Sequence, residues 1–125
     1  MKEKLIRYLE SFVTQSRSEL IDQVLLYRTR YITVALEDIY QPQNASAVLR
    51  TCDCLGIQDI HIIENRNRYK LNPDVTLGSD KWLNLFRYRN YADNTIEAIN
   101  ELKRTGYRIV ATTPSENSQN LNDFD

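Results

Sequence analysis

The strongest constraint on the fold is the alternation of short β-branched runs with stretches of helical periodicity. Tyr31-Ile32-Thr33-Val34-Ala35-Leu36, Asp59-Ile60-His61-Ile62-Ile63 and Arg108-Ile109-Val110-Ala111-Thr112 each read as a buried parallel strand. Strands covered on both faces carry continuous rather than alternating apolar residues. Helical patterns over about 45–55 and 93–104 separate the runs, the second stopping at Gly106, where a helix C-terminal glycine sits. This order implies a parallel sheet with right-handed crossovers, so the expected fold is α/β, a Rossmann-like parallel sheet flanked by helices. Leu83-Asn84-Leu85-Phe86 reads as a further short strand or an extended connection.

Two helices are expected ahead of the sheet. Leu5, Ile6, Leu9, Phe12 and Val13 recur at helical spacing over about 2–13, and Ser16-Arg17-Ser18-Glu19 reads as a capping box opening a second helix with Leu20, Ile21, Val24 and Leu25 on one side. Residues 1–30 are thus a helical segment and 31–125 the sheet-bearing domain.

The formal net charge is −1, so any nucleic-acid binding must come from local clustering of cations. Residues 66–91 supply it: Arg66, Arg68, Lys70, Lys81, Arg87 and Arg89 stand against Asp74 and Asp80, a local balance of +4. Tyr69, Trp82, Phe86, Tyr88 and Tyr91 interleave with them, a composition suited to phosphates and splayed bases. The alternative is that Trp82 and Phe86 belong to the core and the cations are merely solvated. Cys52 and Cys54, two apart on a helix, point to nearly opposite sides, and with His61 as the one histidine no metal site is expected. No apolar run spans a bilayer and no signal peptide opens the chain, so a cytoplasmic location is expected.

The stretch Gln41-Pro42-Gln43-Asn44-Ala45-Ser46-Ala47-Val48-Leu49-Arg50-Thr51-Cys52-Asp53 leaves the first strand and enters a helix. Ala45, Val48, Leu49, Cys52 and Leu55 make a buried stripe by spacing, while Ser46, Arg50 and Asp53 make a polar one. Asn44 stands where a helix N-cap would be; alternatively it lines a ligand site at the carboxyl end of a parallel strand. Arg50 points away from the core, either as a solvated cation or as a functional one.

Asn44 followed six residues later by Arg50-Thr51 resembles the first motif of the SpoU-type RNA ribose 2′-O-methyltransferases, in the SPOUT superfamily. Leu36-Glu37-Asp38, Gln41-Pro42-Gln43-Asn44, Leu55-Gly56 and Gly78-Ser79-Asp80-Lys81-Trp82 resemble the TrmH branch, which methylates a guanosine of tRNA. The resemblance implies methyl transfer from S-adenosylmethionine to a ribose 2′-hydroxyl, with tRNA as partner and a homodimer in the complete enzyme. It implies catalytic roles for Arg50 and Asn44, RNA contacts from Arg17, Arg28, Arg30, Ser46 and Lys81, and cofactor contacts from Thr112 and Thr113. A guanidinium is a poor general base, so the role expected for Arg50 is to bind the target phosphate and stabilise the developing 2′-alkoxide.

The family's second and third motifs, a Gly-rich strand end and a Ser-Leu-Asn stretch that form the cofactor-binding knot, do not occur here. The expectation is therefore the N-terminal half of a SPOUT α/β-knot fold, an incomplete methyltransferase domain over 31–125 that binds S-adenosylmethionine poorly and is inactive alone. The alternatives are a non-catalytic RNA-binding or assembly module and an unrelated flavodoxin-like or receiver-like domain. The second is disfavoured because no facing Asp or Lys follows Glu37 and Asp38 at the later strand ends.

Overall fold

In a computed structural model, residues 1–115 and 118–123 are described. Glu116, Asn117, Phe124 and Asp125, within the polar tail and the expected domain, lie outside the described residues. Among the rest, helices α1 (Lys2–Glu10) and α2 (Gln15–Leu25) precede strand β1 (Val34–Glu37) and helix α3 (Pro42–Cys54). Strand β2 (Asp59–Ile63), the short helix α4 (Pro73–Thr76), a 3₁₀ turn at Ser79–Trp82, strand β3 (Asn84–Tyr88) and helix α5 (Asn94–Arg104) follow. The sheet is parallel with order β1-β2-β3, Val34 opposite Ile60 and Ile60 opposite Leu85.

β2 is central and buried at all five positions, which is why its sequence is continuously apolar apart from Asp59 and His61. Ile60 and Ile62 point toward α3, where they meet Leu36, Ala45, Leu49 and Cys52. Leu49 and Ile60 are fully buried, each contributing roughly 1.5–3 kcal/mol of hydrophobic stabilisation. On the other face Ile63 and Tyr88 pack on Ala98 of α5. Asp93 caps α5 by accepting the Ile96 N–H at 2.9 Å.

Several expectations are corrected. The third strand is Asn84–Tyr88, whereas the more β-branched segment 108–112 has no regular structure, with Ile109 and Val110 exposed. Strand formation requires an edge to pair with, and Asn84–Tyr88 holds the β2 edge through a five-residue register. α1 ends at Glu10 rather than 13, and α2 is capped by Thr14, whose hydroxyl reaches the Arg17 N–H, so Ser16 falls inside the first turn. Leu55 lies past the end of α3 and is exposed rather than buried. Cys52 is buried and Cys54 exposed, both as thiols.

Gly56 follows α3 with a φ of +74°, and a Cβ there would sit 2.3 Å from the Tyr27 carbonyl oxygen. That close approach lets Thr29 bridge Ile57 and brings the segment leaving α2 alongside the sheet. The apolar stripes of α1 and α2 stay largely exposed, including Leu5, Leu9, Phe12 and Leu20.

Candidate functional site

Parallel strands bring their following loops to one edge, and at that edge three segments are tied together here. Asp38, just past β1 in a left-handed conformation with φ of +47°, accepts with one oxygen the N–H groups of Asn65 and Arg66 at 2.8 Å and Asn67 at 3.2 Å. Asn67 Nδ2 returns a bond to the Asp38 carbonyl at 2.9 Å. Burial works to raise the Asp38 pKa, but the N–H groups of Arg66, Asn67 and Asn65 and the Arg66 charge outweigh it and hold the carboxyl below its ordinary value. This clasp joins the loop that leads into α3 to the loop carrying Arg66 and Arg68.

A second clasp lies one residue past β2. Arg87 donates through Nε and Nη2 to Glu64, and the Tyr69 N–H donates to Glu64 Oε1 at 2.8 Å. The Arg87 hydrogen bonds, with help from the Tyr69 N–H, hold Glu64 below the usual carboxylate range against the opposing effect of burial. Arg87 also lies over the Tyr69 ring, 5.5 Å from its centroid.

α3 begins at Pro42, a natural first helical residue, with Gln41 as its N-cap. Asn44 is therefore not the cap. It occupies the first turn, its N–H bonded to the Gln41 carbonyl and its side chain exposed. The polar stripe of α3 is divided into three. Ser46 is fully buried because the loop ahead of α4 folds over it, the Asn72 N–H donating to Ser46 Oγ at 2.9 Å. Asp53 is held by Arg28, which donates through Nη2 to Asp53 Oδ1. Arg50, between them, is exposed, and its side chain makes no hydrogen bond or ion pair among the described residues.

The remaining expected site residues are scattered. Arg28, its side chain only 10% exposed, is paired through Nη2 with Asp53, and the exposed Arg30 pairs through Nε with Asp59 at 3.0 Å. Arg17 and Lys81 are exposed, on α2 and on the 3₁₀ turn. Thr112 and Thr113 lie exposed on the segment without regular structure. Two adjacent exposed threonines offer hydroxyls but no enclosing cradle, so Thr112 and Thr113 do not by themselves make a site for S-adenosylmethionine.

Of the aromatic strip, Tyr88 is buried, with its hydroxyl 3.0 Å from His61 Nδ1, while Phe86 stacks on the His61 ring at 5.0 Å and is half-exposed, as is Trp82. A cavity of about 710 Å³ opens over this second face of the sheet, between β2, β3 and α5. The loop organisers Asp38, Glu64 and Asn72 went unnoticed as site residues in the sequence. The adjacent acids Glu37 and Asp38 at a strand end were the one available signal, and nothing in the spacing told which would turn back to hold a loop.

The SpoU rRNA Methylase family profile matches residues 31–125. The chain belongs to that family. Similarity to curated SpoU relatives extends to a tRNA (guanosine(18)-2′-O)-methyltransferase of Borreliella burgdorferi, 49% identical over 118 residues, which cover 94% of this chain and 52% of the relative. Enzymes of the same name from Thermus thermophilus (31% identical, 90% of this chain, 56% of the relative) and Escherichia coli K12 (30%, 84% and 44%) are similar as well. The SpoU chain thus spans about half the length of the curated relatives it matches. Its fold also resembles the crystal structure of an Aquifex aeolicus TrmH/SpoU tRNA modifying enzyme, with a TM-score of 0.73 and 30% identity, covering 89% of this chain and 55% of that one. Among the described residues no helix is long and apolar enough to cross a membrane.

Proposed function

We propose that this chain supplies the RNA-facing part of an S-adenosylmethionine-dependent ribose 2′-O-methyltransferase acting on tRNA. The observation that carries the reading is the division of the α3 polar stripe, which buries Ser46, pairs Asp53 with Arg28 and leaves Arg50 exposed without a side-chain partner among the described residues. A guanidinium kept clear of carboxylates can take a phosphate oxygen bidentately and stabilise negative charge developing on a 2′-oxygen. Asn44, about 9 Å nearer the start of the helix by axial rise, orients the ribose from the carboxyl edge of β1. Arg66 and Arg68, on the loop whose backbone Asp38 holds at 65–67, and the exposed Arg17 and Lys81 hold the RNA backbone. Arg30 adds a weaker contact, being shared with Asp59. Ser46 acts by seating the Asn72 loop rather than by touching RNA.

S-adenosylmethionine, bound elsewhere in the complete protein with Thr112 and Thr113 contributing at most two hydroxyls, supplies the methyl group. The assignment of 31–125 to the methyltransferase domain and 1–30 to a helical appendage, a homodimeric complete enzyme and a cytoplasmic location belong to the same reading. In a protein of the relatives' length carrying this segment, Arg50→Lys is expected to lower methyl transfer to tRNA by at least about a hundredfold, the scale of losing one transition-state donor. A loss of only a few-fold would show that the planar guanidinium has no special role.

A further inference from the structure

α2 leaves a groove against the end of α3 and the 3₁₀ turn, about 280 Å³ in volume and bounded by Leu20, Val24 and Trp82. Arg17, Arg28 and Asp53 complete its lining, two cations to one carboxylate. Arg28 Nη2 is engaged by Asp53, yet Arg28 Nη1 is buried without a hydrogen-bond partner among the described residues, on a side chain nine-tenths buried. A buried guanidinium N–H left without an acceptor is costly and uncommon in folded proteins, and because Arg28 also lines the groove, a shift of its side chain toward an anion bound there would relieve that cost.

The other walls exclude a simple anion as the intended occupant. Trp82 is 46% exposed and Leu20 57%, so a flat apolar surface lies beside the cationic end. A ligand with a phosphate at one end and a flat aromatic face at the other matches both, and a volume near 280 Å³ suits one such unit rather than a duplex. Asp53 lies three residues beyond Arg50 on α3, about 4.5 Å along the axis on the same face, so the groove continues the surface on which Arg50 stands.

We infer that this groove is a subsite for one unpaired nucleotide of RNA next to the residue addressed by Arg50, its phosphate at Arg17 and Arg28 and its base against Trp82. The inference rests on the RNA-directed reading of the chain and adds to it a place where a flanking base is held out of the stack.

Trp82 is the sole tryptophan, so its emission reports the groove directly. The chain is titrated at low salt with a short single-stranded oligouridylate, with uridine monophosphate, with inorganic phosphate and with an acidic peptide. Binding of a labelled oligonucleotide is followed in parallel by fluorescence polarisation. Saturable quenching by the oligonucleotide, weaker quenching by the mononucleotide and none by phosphate are expected. Leu20→Glu, a carboxylate at an exposed position, should weaken oligonucleotide binding at least tenfold with an unchanged circular dichroism spectrum. Arg28→Lys, which keeps a cation for Asp53 but loses the second guanidinium donor, should also weaken it.

RNA binding by polarisation without a change in Trp82 emission, or without an effect of Leu20→Glu, would remove the groove from the RNA surface while leaving the RNA reading intact. Phosphate binding as tightly as the oligonucleotide would reduce the groove to an anion site, and tighter binding of the peptide would make it a protein-docking surface; either result overturns the subsite. No RNA binding by either measurement would overturn the RNA reading and the subsite with it.

Discussion

Arg87 and Glu64 are joined by two parallel hydrogen bonds, Nε to Oε2 at 2.9 Å and Nη2 to Oε1 at 2.7 Å, with the Glu64 side chain only 1% exposed. One of the six cations in the basic strip is therefore structural. Arg87→Ala leaves a buried carboxylate with the Tyr69 N–H alone, and urea unfolding should show a loss of about 2–4 kcal/mol, discounted from a fully buried pair because Arg87 is 35% exposed. Because the folded protein lowers the Glu64 pKa, the pair's stabilisation is present above the unfolded glutamate value of 4.5 and is lost as pH falls through the lower folded one. The acid limb of the stability curve should accordingly be shallower in Arg87→Ala than in the parent.

Asp38 holds three backbone N–H groups in a conformation that β-branched and apolar residues avoid. Asp38→Ala should cost about 2–3 kcal/mol, combining orphaned donors with left-handed strain. Asp38→Asn, which keeps an acceptor and tolerates that conformation, should cost about 1 kcal/mol less. Amide hydrogen exchange at 65–67 should accelerate in the alanine variant while the amides of β2 keep their protection; uniform acceleration would mean that the clasp is not local.

His61 is 7% exposed between Phe86 and Tyr88, and burial depresses its pKa below 6.5, against the opposing pull of Asp59 and Glu101. The unfolded chain therefore binds a proton that the folded one resists. The associated stability is fully present above about pH 6.5 and falls as pH drops below it toward the folded value. Thermal melts between pH 8 and pH 5.5 should show this slope in the parent and a flatter one in His61→Phe.

Gly56→Ala should destabilise by about 2–4 kcal/mol, since strain at a positive φ adds to the collision of the new methyl with the Tyr27 carbonyl. The same change at Gly106, also at positive φ but with open space around it, should cost only about 1 kcal/mol, the strain alone. Equal losses in chemical denaturation would show that the close approach to Tyr27 adds nothing.

The sheet's parallel character was legible because short apolar runs alternate with helical spacing, and β2 carries Ile60, Ile62 and Ile63 with burial at all five positions, as a doubly covered strand does. The helix bearing Arg50 was legible from the three-and-four spacing of Ala45, Leu49 and Cys52, all of which are buried. Ser46 was misplaced because spacing gives a direction around the helix but not what lies over it, and the covering Asn72 is 26 residues away in sequence. The pairing of Arg28 with Asp53 was not legible for the same reason, the two lying 25 residues apart in sequence. Segment 108–112 was read as a strand on β-propensity, which is a preference for a pleated, half-buried surface and is not realised where no such surface is reached.

β1 stands at the margin of the sheet, and among the described residues no strand lies on its outer side. Beyond α5 the chain is tethered close to it, the Tyr107 hydroxyl donating to the Arg30 carbonyl, and then runs on through Ile109 and Val110. An open strand margin ordinarily recruits whatever extended segment reaches it first. A segment anchored a few residues away samples that margin at an effective concentration in the millimolar range, far above any that a second molecule reaches at ordinary dilution. The anchor at Tyr107 thus biases the molecule toward completing its own sheet rather than joining a neighbour's.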